Sequence, residues 1–297
     1  MTFLHLDFGW DVFMEMWIAL VAFYGLAKGG RDALKKKALQ QSSTMEVLFF
    51  HTALAFLMTI PFSHNVFGIP AIYHLWVFIK SFVIFLAWIF AFSSIKKMPV
   101  SFYGIMDSAR MIFSTVLALL FLNESMTWAK GLGLSLVLCG IIIVNLGNHN
   151  ADEKVKTKYL IMSIASCLLN SISGFMDKKL LVTGDIDSSQ LQFWYMLYMT
   201  ALYGAYILAR RIPLRLGTLK TNYWIIILSI LFVAADRALF IANEDPLSQV
   251  TVMTLIKQSS VIVTVLTGKL FFKEKHILKR SVCAAIVIAG ICVATLL

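Results

Sequence analysis

The sequence predicts an all-α polytopic membrane protein with ten transmembrane helices in two inverted five-helix repeats. Three observations carry this expectation. The chain is 59% hydrophobic and 14% charged, whereas a water-soluble domain carries about a quarter charged residues, so lipid is the solvent for most of its surface. The apolar residues fall into ten runs, each close to the roughly 20 residues that cross a hydrocarbon core at about 1.5 Å per residue. The two halves of the chain also share an order of features.

The runs cover 12–34, 44–61, 73–95, 100–122, 127–146, 157–181, 189–209, 222–243, 247–271 and 277–296. Helices are required, because backbone facing lipid must satisfy its own hydrogen bonds. In the first run, "GLAKGGRDALKKK" interrupts the apolar pattern with Lys28 and Gly29–Gly30, which predicts a kink or partial unwinding. The second holds a lone His51, read as a satisfied core histidine. The third holds Lys80 and Trp88, the latter read as a cavity wall. On the fourth, Asp107, Arg110 and Ser114 stand at i, i+3 and i+7, one face of a helix. The sixth carries a stripe of Ser163, Ser166, Asn170, Ser173 and Asp177, and the eighth one of Ser229, Asp236 and Asn243. Arg237 is about 100° around the helix from Asp236. The seventh presents Trp194, Tyr195 and Tyr198, read as interfacial anchors. The ninth repeats the polar face of the fourth with Lys257, Ser260, Thr264 and Thr267. Small residues on the fifth (Ala129, Gly133, Gly140) and tenth (Ser281, Ala285, Ala289) read as packing seams.

The halves, 1–150 and 151–297, align at an offset of 150 that sets Glu124 over Glu274 and Gly140 over Gly290. "KKMPVS" and "NEDPLS" place Pro99 over Pro246. Five spans is an odd number, so the second half enters from the opposite side, an arrangement found in secondary transporters. Alternating the loops puts sixteen Lys and Arg, Lys154 among them, on one side, against Lys130, Lys178 and Lys179 on the other. The basic side is cytoplasmic by the positive-inside bias, so both termini face outward. The N-terminus has no basic leader and no small-residue cleavage site, so the first span is expected to stay in the mature protein. The net charge of +10 is accordingly read as loop charge, not as a nucleic-acid surface. Phosphate-binding loops, zinc spacings and nucleophile elbows are absent from the sequence, so no cofactor, metal or enzymatic activity is expected. The cysteines, Cys139, Cys167, Cys283 and Cys292, lie in apolar runs at spacings that suit packing.

A charge at the bilayer centre costs about 2.5–3.5 kcal/mol even on mild insertion scales, so buried charges must face protein, water or ligand. Lys80, Arg110, Arg237 and Lys257 stand against Asp107 and Asp236, an excess of two positive charges. The stripes of the two halves predict a water-filled cavity between them, and that excess favours an anion or zwitterion. Lys257 would hold the anionic end, and Asp107 or Asp236 would meet an amine or carry a proton. The candidate binding residues are Lys257, Arg110, Asp107, Asp236, Arg237, Lys80, Trp88, Ser260 and Asn170. The competing reading is helix glue: Asp107 and Arg110 satisfy each other, and the serines sit at helix contacts.

The stretch "PVSFYGIMDSARMIFSTVLALLFLNESMTWAKGLGLSLVLCGIIIVNL", with its second copy from Pro246 onward, resembles the drug/metabolite transporter superfamily and its EamA-type members. In both copies an apolar helix ends near a Glu and is followed by a helix with a late Gly. The resemblance implies a secondary active transporter. Its central cavity would be lined by spans 1, 3, 4, 6, 8 and 9, with spans 5 and 10 as buttresses. Helix pairs 3–4 and 8–9 would rock to alternate access, with Pro99 and Pro246 at their gating turns. Charges in spans 4, 8 and 9 depart from the more apolar family pattern. They turn the expected substrate from a hydrophobic drug to a small anionic or zwitterionic organic metabolite. The alternative is efflux of cationic or amphipathic compounds on a membrane-embedded Asp. The expected partners are a small-molecule substrate, the lipid bilayer and protons as coupling ion, in a monomer or homodimer. The expected location is a bacterial cytoplasmic membrane. A membrane-embedded enzyme lacks a convergent His/acid set, and a non-transporting scaffold would not need the buried charges.

Overall fold

In lipid, backbone N–H and C=O groups are satisfied along a helix, and the computed structural model of the chain follows that rule. It describes residues 8–63, 66–121, 125–146, 155–183, 186–215, 217–275 and 277–296. Glu124, Lys154 and both chain ends lie outside the described residues. The helices are α1 (Phe8–Gln41), α2 (Thr44–Thr59), α3 (Ala71–Lys97), α4 (Val100–Asp107), α5 (Ala109–Phe121), α6 (Trp128–Leu146), α7 (Thr157–Thr183), α8 (Ser188–Ala209), α9 (Thr218–Thr221), α10 (Trp224–Glu244), α11 (Val250–Lys257), α12 (Ser260–Phe272) and α13 (Ile277–Leu296). No strand occurs among the described residues.

Seven runs are long and apolar enough to cross a bilayer: Thr44–Phe62, Ala71–Lys97, Val100–Phe121, Trp128–Leu146, Thr157–Val182, Trp224–Glu244 and Val250–Phe272. Helices α1, α8 and α13, of 34, 22 and 20 residues, also have the length of a crossing. Outward faces are apolar, with Leu26, Leu57, Phe78, Leu120, Ile142 and Leu266 exposed, as lipid contact requires.

Two helix expectations change. Helix α1 is continuous through Gly29–Gly30 instead of unwinding there. Its glycines serve close approach: a Cβ on Gly25 would stand 2.4 Å from Ser259 Oγ, and one on Gly29 would stand 2.6 Å from the Ser260 carbonyl. The fourth and ninth runs, expected to be continuous, are each broken in mid-course. One break is at Ser108, between α4 and α5, and the other at Gln258–Ser259, between α11 and α12. There the Ser108 N–H reaches the Ile105 carbonyl at 3.1 Å and the Gln258 N–H the Leu255 carbonyl at 2.9 Å, the tighter i→i+3 pattern that marks a local hinge.

The prolines also differ from one another. Pro99 is the N-cap of α4, with φ −57° and ψ 144°, and its carbonyl accepts the Tyr103 N–H at 2.9 Å. Pro246 stands in an exposed turn after α10, and the N-cap of α11 is Gln249. Glu274 holds the start of α4, accepting the Val100 N–H, the Ser101 N–H and the Ser101 hydroxyl, and Arg280 donates to it at 3.1 Å. Lysines close the two preceding helix ends. Lys36 donates to the carbonyls of Ile95, Lys96 and Met98 at 2.9, 3.0 and 2.7 Å. Lys178 donates to those of Asn243 and Asp245 and to Ser248 Oγ at 3.2, 2.5 and 2.6 Å. Both satisfy carbonyls that a helix C-terminus leaves without a partner.

Helices from one half of the chain pack mainly on helices from the other. Helix α1 lies along α10 and α12, α3 along α7 and α8, α2 against α8 and α10, α4 against α12, and α5 against α7 and α11. Helices α6 and α13 form a seam of their own. A Cβ on Gly140 would meet Val287 Cγ2 at 2.7 Å, and one on Gly290 the Gly133 carbonyl at 2.7 Å. The seam on α6 is as expected, but on α13 it runs through Cys283, Val287 and Gly290. Ala285 and Ala289 are exposed, so the expected triplet faces away. Cys139, Cys167 and Cys283 are free thiols.

Candidate binding chamber

The packed helices enclose a cavity of about 100 Å³, lined from α1, α2, α3, α4, α5, α7, α8, α10 and α11. Side chains of α6, α12 and α13 are absent from its wall among the described residues. The expected lining by six spans therefore holds, with α2 and α8 adding His51 and Tyr195.

The charges on the wall sort into paired and free. Asp107, the last residue of α4, accepts Lys28 Nζ at 2.5 Å on one oxygen and Arg110 at 2.9 Å on the other. Lys28 also donates to Ser260 Oγ at 3.0 Å. The i, i+3 pair is thus not self-contained, because a cation from α1 completes it. Asp32 pairs with Lys35 at 2.8 Å, and Asp177 with Lys80 at 3.0 Å. Lys80 Nζ also stands 3.5 Å from the centre of the Tyr195 ring. A buried carboxylate or ammonium is tolerated on such terms, since an unpaired one costs several kcal/mol.

Three wall charges stay outside these pairs. Arg31 lies 4.9 and 5.1 Å from the ring centres of Tyr24 and Phe232. Lys257 lies 5.7 Å from the Tyr24 ring. Among the described residues neither has a carboxylate within 4.0 Å. Asp236 is buried, and its Oδ2 has no hydrogen-bond partner among the described residues. One side of the chamber is aromatic. His51 stacks on Trp88 with ring centres 5.6 Å apart, and Phe232 meets them edge-on at 5.0 and 5.2 Å. His51 Nδ1 lies 3.0 Å from Ser229 Oγ, so it is satisfied, as read from the sequence, while also facing the cavity.

Lys257, Arg110, Asp107, Asp236, Lys80, Trp88 and Asn170 all line the chamber. Ser260 touches it only through Lys28, and Arg237, one step around α10 from Asp236, is not on the wall. Thr264 and Thr267 turn back onto their own helix, donating to the carbonyls of Val261 and Val263. Tyr195 is buried against Lys80 instead of anchoring at the interface. The resemblance puts span 1 on the cavity, but no residue of α1 is named as a binding candidate. Tyr24, Lys28, Arg31, Asp32 and Lys35 recur at helical spacing, a stripe masked by reading the glycines among them as an interruption.

An all-helical, lipid-faced fold around an internal charged chamber defines an integral membrane protein with a site of solute size. Residues 15–146 match the model of the EamA-like transporter family. The match agrees with the resemblance to EamA-type transporters read from the sequence. A solved structure titled "Crystal structure of protein" matches over 94% of this chain and 97% of its own, with a TM-score of 0.67 at 14% identity. At that identity the likeness shows the fold. No curated protein matches the chain.

Proposed function

We propose that the chain is a secondary active transporter that carries a small anionic or zwitterionic organic metabolite by alternating access through this chamber. The observation that carries the reading is Lys257, a chamber cation without a carboxylate partner among the described residues. A low-dielectric site with an unpaired ammonium attracts an anion. The test is a thermal-shift and binding screen of metabolites on purified protein, since a ligand of the folded state raises its apparent stability. Anion-bearing solutes are expected to stabilise the wild type and not Lys257→Met. A folded Lys257→Met protein of undiminished affinity overturns the reading. The free oxygen of Asp236 favours the second reading, efflux of cations, and stabilisation by organic cations alone would select it.

Ten spans in two inverted halves, 1–150 and 151–297, remain the architecture we infer. Seven apolar runs and three further long helices support the count. Helix breaks 150 residues apart and the exchange of partners between halves support the repeat. In this reading the hairpins at Pro99 and Pro246 rock against each other, protons are the coupling ion, and the chain works as a monomer or homodimer in a bacterial cytoplasmic membrane. A disulfide trapping the turn around Pro246 is expected to stop flux, and full-rate transport across the trap would remove the gating role. The positive-inside bias of the loop lysines supports both termini outside. Lys97→Cys and Lys156→Cys should then resist impermeant label applied to intact cells, and ready labelling reverses the orientation.

A further inference from the structure

The free charges of the chamber define a pattern that a ligand must complement. We propose that the ligand carries two carboxylates and one ammonium on a frame of about ten non-hydrogen atoms, as an acidic amino acid does. This rests on the transporter reading of the same chamber. The paired charges (Asp107 with Lys28 and Arg110, Asp32 with Lys35, Asp177 with Lys80) already have partners. Among the described residues, what is left on the wall outside those ion pairs is two cations, Arg31 and Lys257, and one carboxylate, Asp236, which is itself a longer-range charge neighbour of Arg31.

The two cations share an aromatic neighbour. The Arg31 guanidinium carbon and Lys257 Nζ lie 4.9 and 5.7 Å from the same Tyr24 ring centre, so they are at most about 11 Å apart. Two charge-assisted hydrogen bonds of about 2.8 Å each, added to the reach of a four- or five-carbon dicarboxylate, bridge that gap. The space agrees: about 100 Å³ is several times the minimum a single water needs, room for a small solute. The Lys28–Asp107–Arg110 cluster keeps one surplus positive charge, which favours a net anion over a neutral zwitterion. Both cations lie within reach of the Tyr24 ring.

The test measures binding to the purified full chain with L-glutamate, L-aspartate, glutarate, L-glutamine and 1,5-diaminopentane, alongside flux in proteoliposomes. Glutamate or aspartate should bind at least about tenfold tighter than glutarate, which lacks the ammonium, and than glutamine, which lacks one carboxylate. Arg31→Gln should bring glutamate down to the affinity of glutamine, and Arg31→Lys should restore the gap. Asp236→Asn should bring glutamate down to the affinity of glutarate. A structural role would weaken all ligands alike. If Arg31→Gln fails to fold, the wild-type ligand ranking decides. Equal affinities, tightest binding of glutarate, glutamine or the diamine, or no binding of either acidic amino acid overturns the proposal. Saturable flux of another panel member would then leave the transporter reading standing. Tight glutamate binding with no saturable flux would keep the site and remove transport.

Discussion

Asp107 and Lys257 each end an eight-residue helix that is followed, after a short break, by a 13-residue one. The backbone around them is alike, yet their surroundings are opposite. Asp107 is held between Lys28 and Arg110. Lys257 faces the cavity with the Tyr24 ring 5.7 Å away and no carboxylate partner among the described residues. The breaks re-aim a polar residue toward the chamber in both places, but only one of these residues is neutralised by the fold. The difference teaches that helix geometry here sets where a charge stands, while packing sets whether a neighbour quenches it.

The largest effect is expected at the quenched site. Asp107→Asn leaves Lys28 and Arg110 buried around a neutral amide and should cost about 3–5 kcal/mol, read as loss of folded, monodisperse protein. Adding Lys28→Met should recover part of it. An Asp107→Asn protein that melts like the wild type would break the contrast. At the free site the order inverts. Lys257→Met should leave melting nearly unchanged and abolish ligand binding, seen as a flat thermal shift. If it is instead poorly expressed and rescued by removing an acid, the lysine is structural and the contrast collapses.

A smaller effect tests the backbone between the sites. A Cβ on Gly104 would stand 2.1 Å from Thr264 Oγ1, so Gly104→Ala should cost about 1–3 kcal/mol through overpacking of α4 on α12, with partial relief from Thr264→Ala. A Gly104→Ala chain of full stability would show that the two broken helices do not bear on each other. The smallest effects belong to the turns. Pro246→Ala, in the exposed turn, should shift stability by less than about 1 kcal/mol. Pro99→Ala should cost more, because Pro99 shapes the start of α4 that Glu274 holds. Thermal melts of the two variants side by side make that comparison.

Much of the site was legible beforehand. Asp107, Arg110, Asp236 and Lys257 stand out because a charge in an apolar run is costly, and that cost is local to the run. The face shared by Asp107, Arg110 and Ser114 was legible because helical period is local too, and all three line the chamber. Arg31 and Lys28 were not among the binding candidates, because glycines beside them look like a helix interruption until a second helix is placed against them. Arg237 was misjudged because adjacency in sequence puts two side chains about 100° apart, and only one of that pair faces the cavity.

The sequence alone determined the membrane class, the helical content and the list of charges that had to be sheltered, since hydrophobicity and period are properties of each segment. Only the tertiary structure decided which charges shelter one another. Lys28 from α1 reaches Asp107 on α4, and Lys80 from α3 reaches Asp177 on α7. Those pairings depend on which helices cross and at what depth, since ion pairing falls off with distance through space and not along the chain. By claiming Asp107 and Asp177 for other lysines, packing leaves Lys257, Arg31 and Asp236 as the wall charges outside those ion pairs among the described residues.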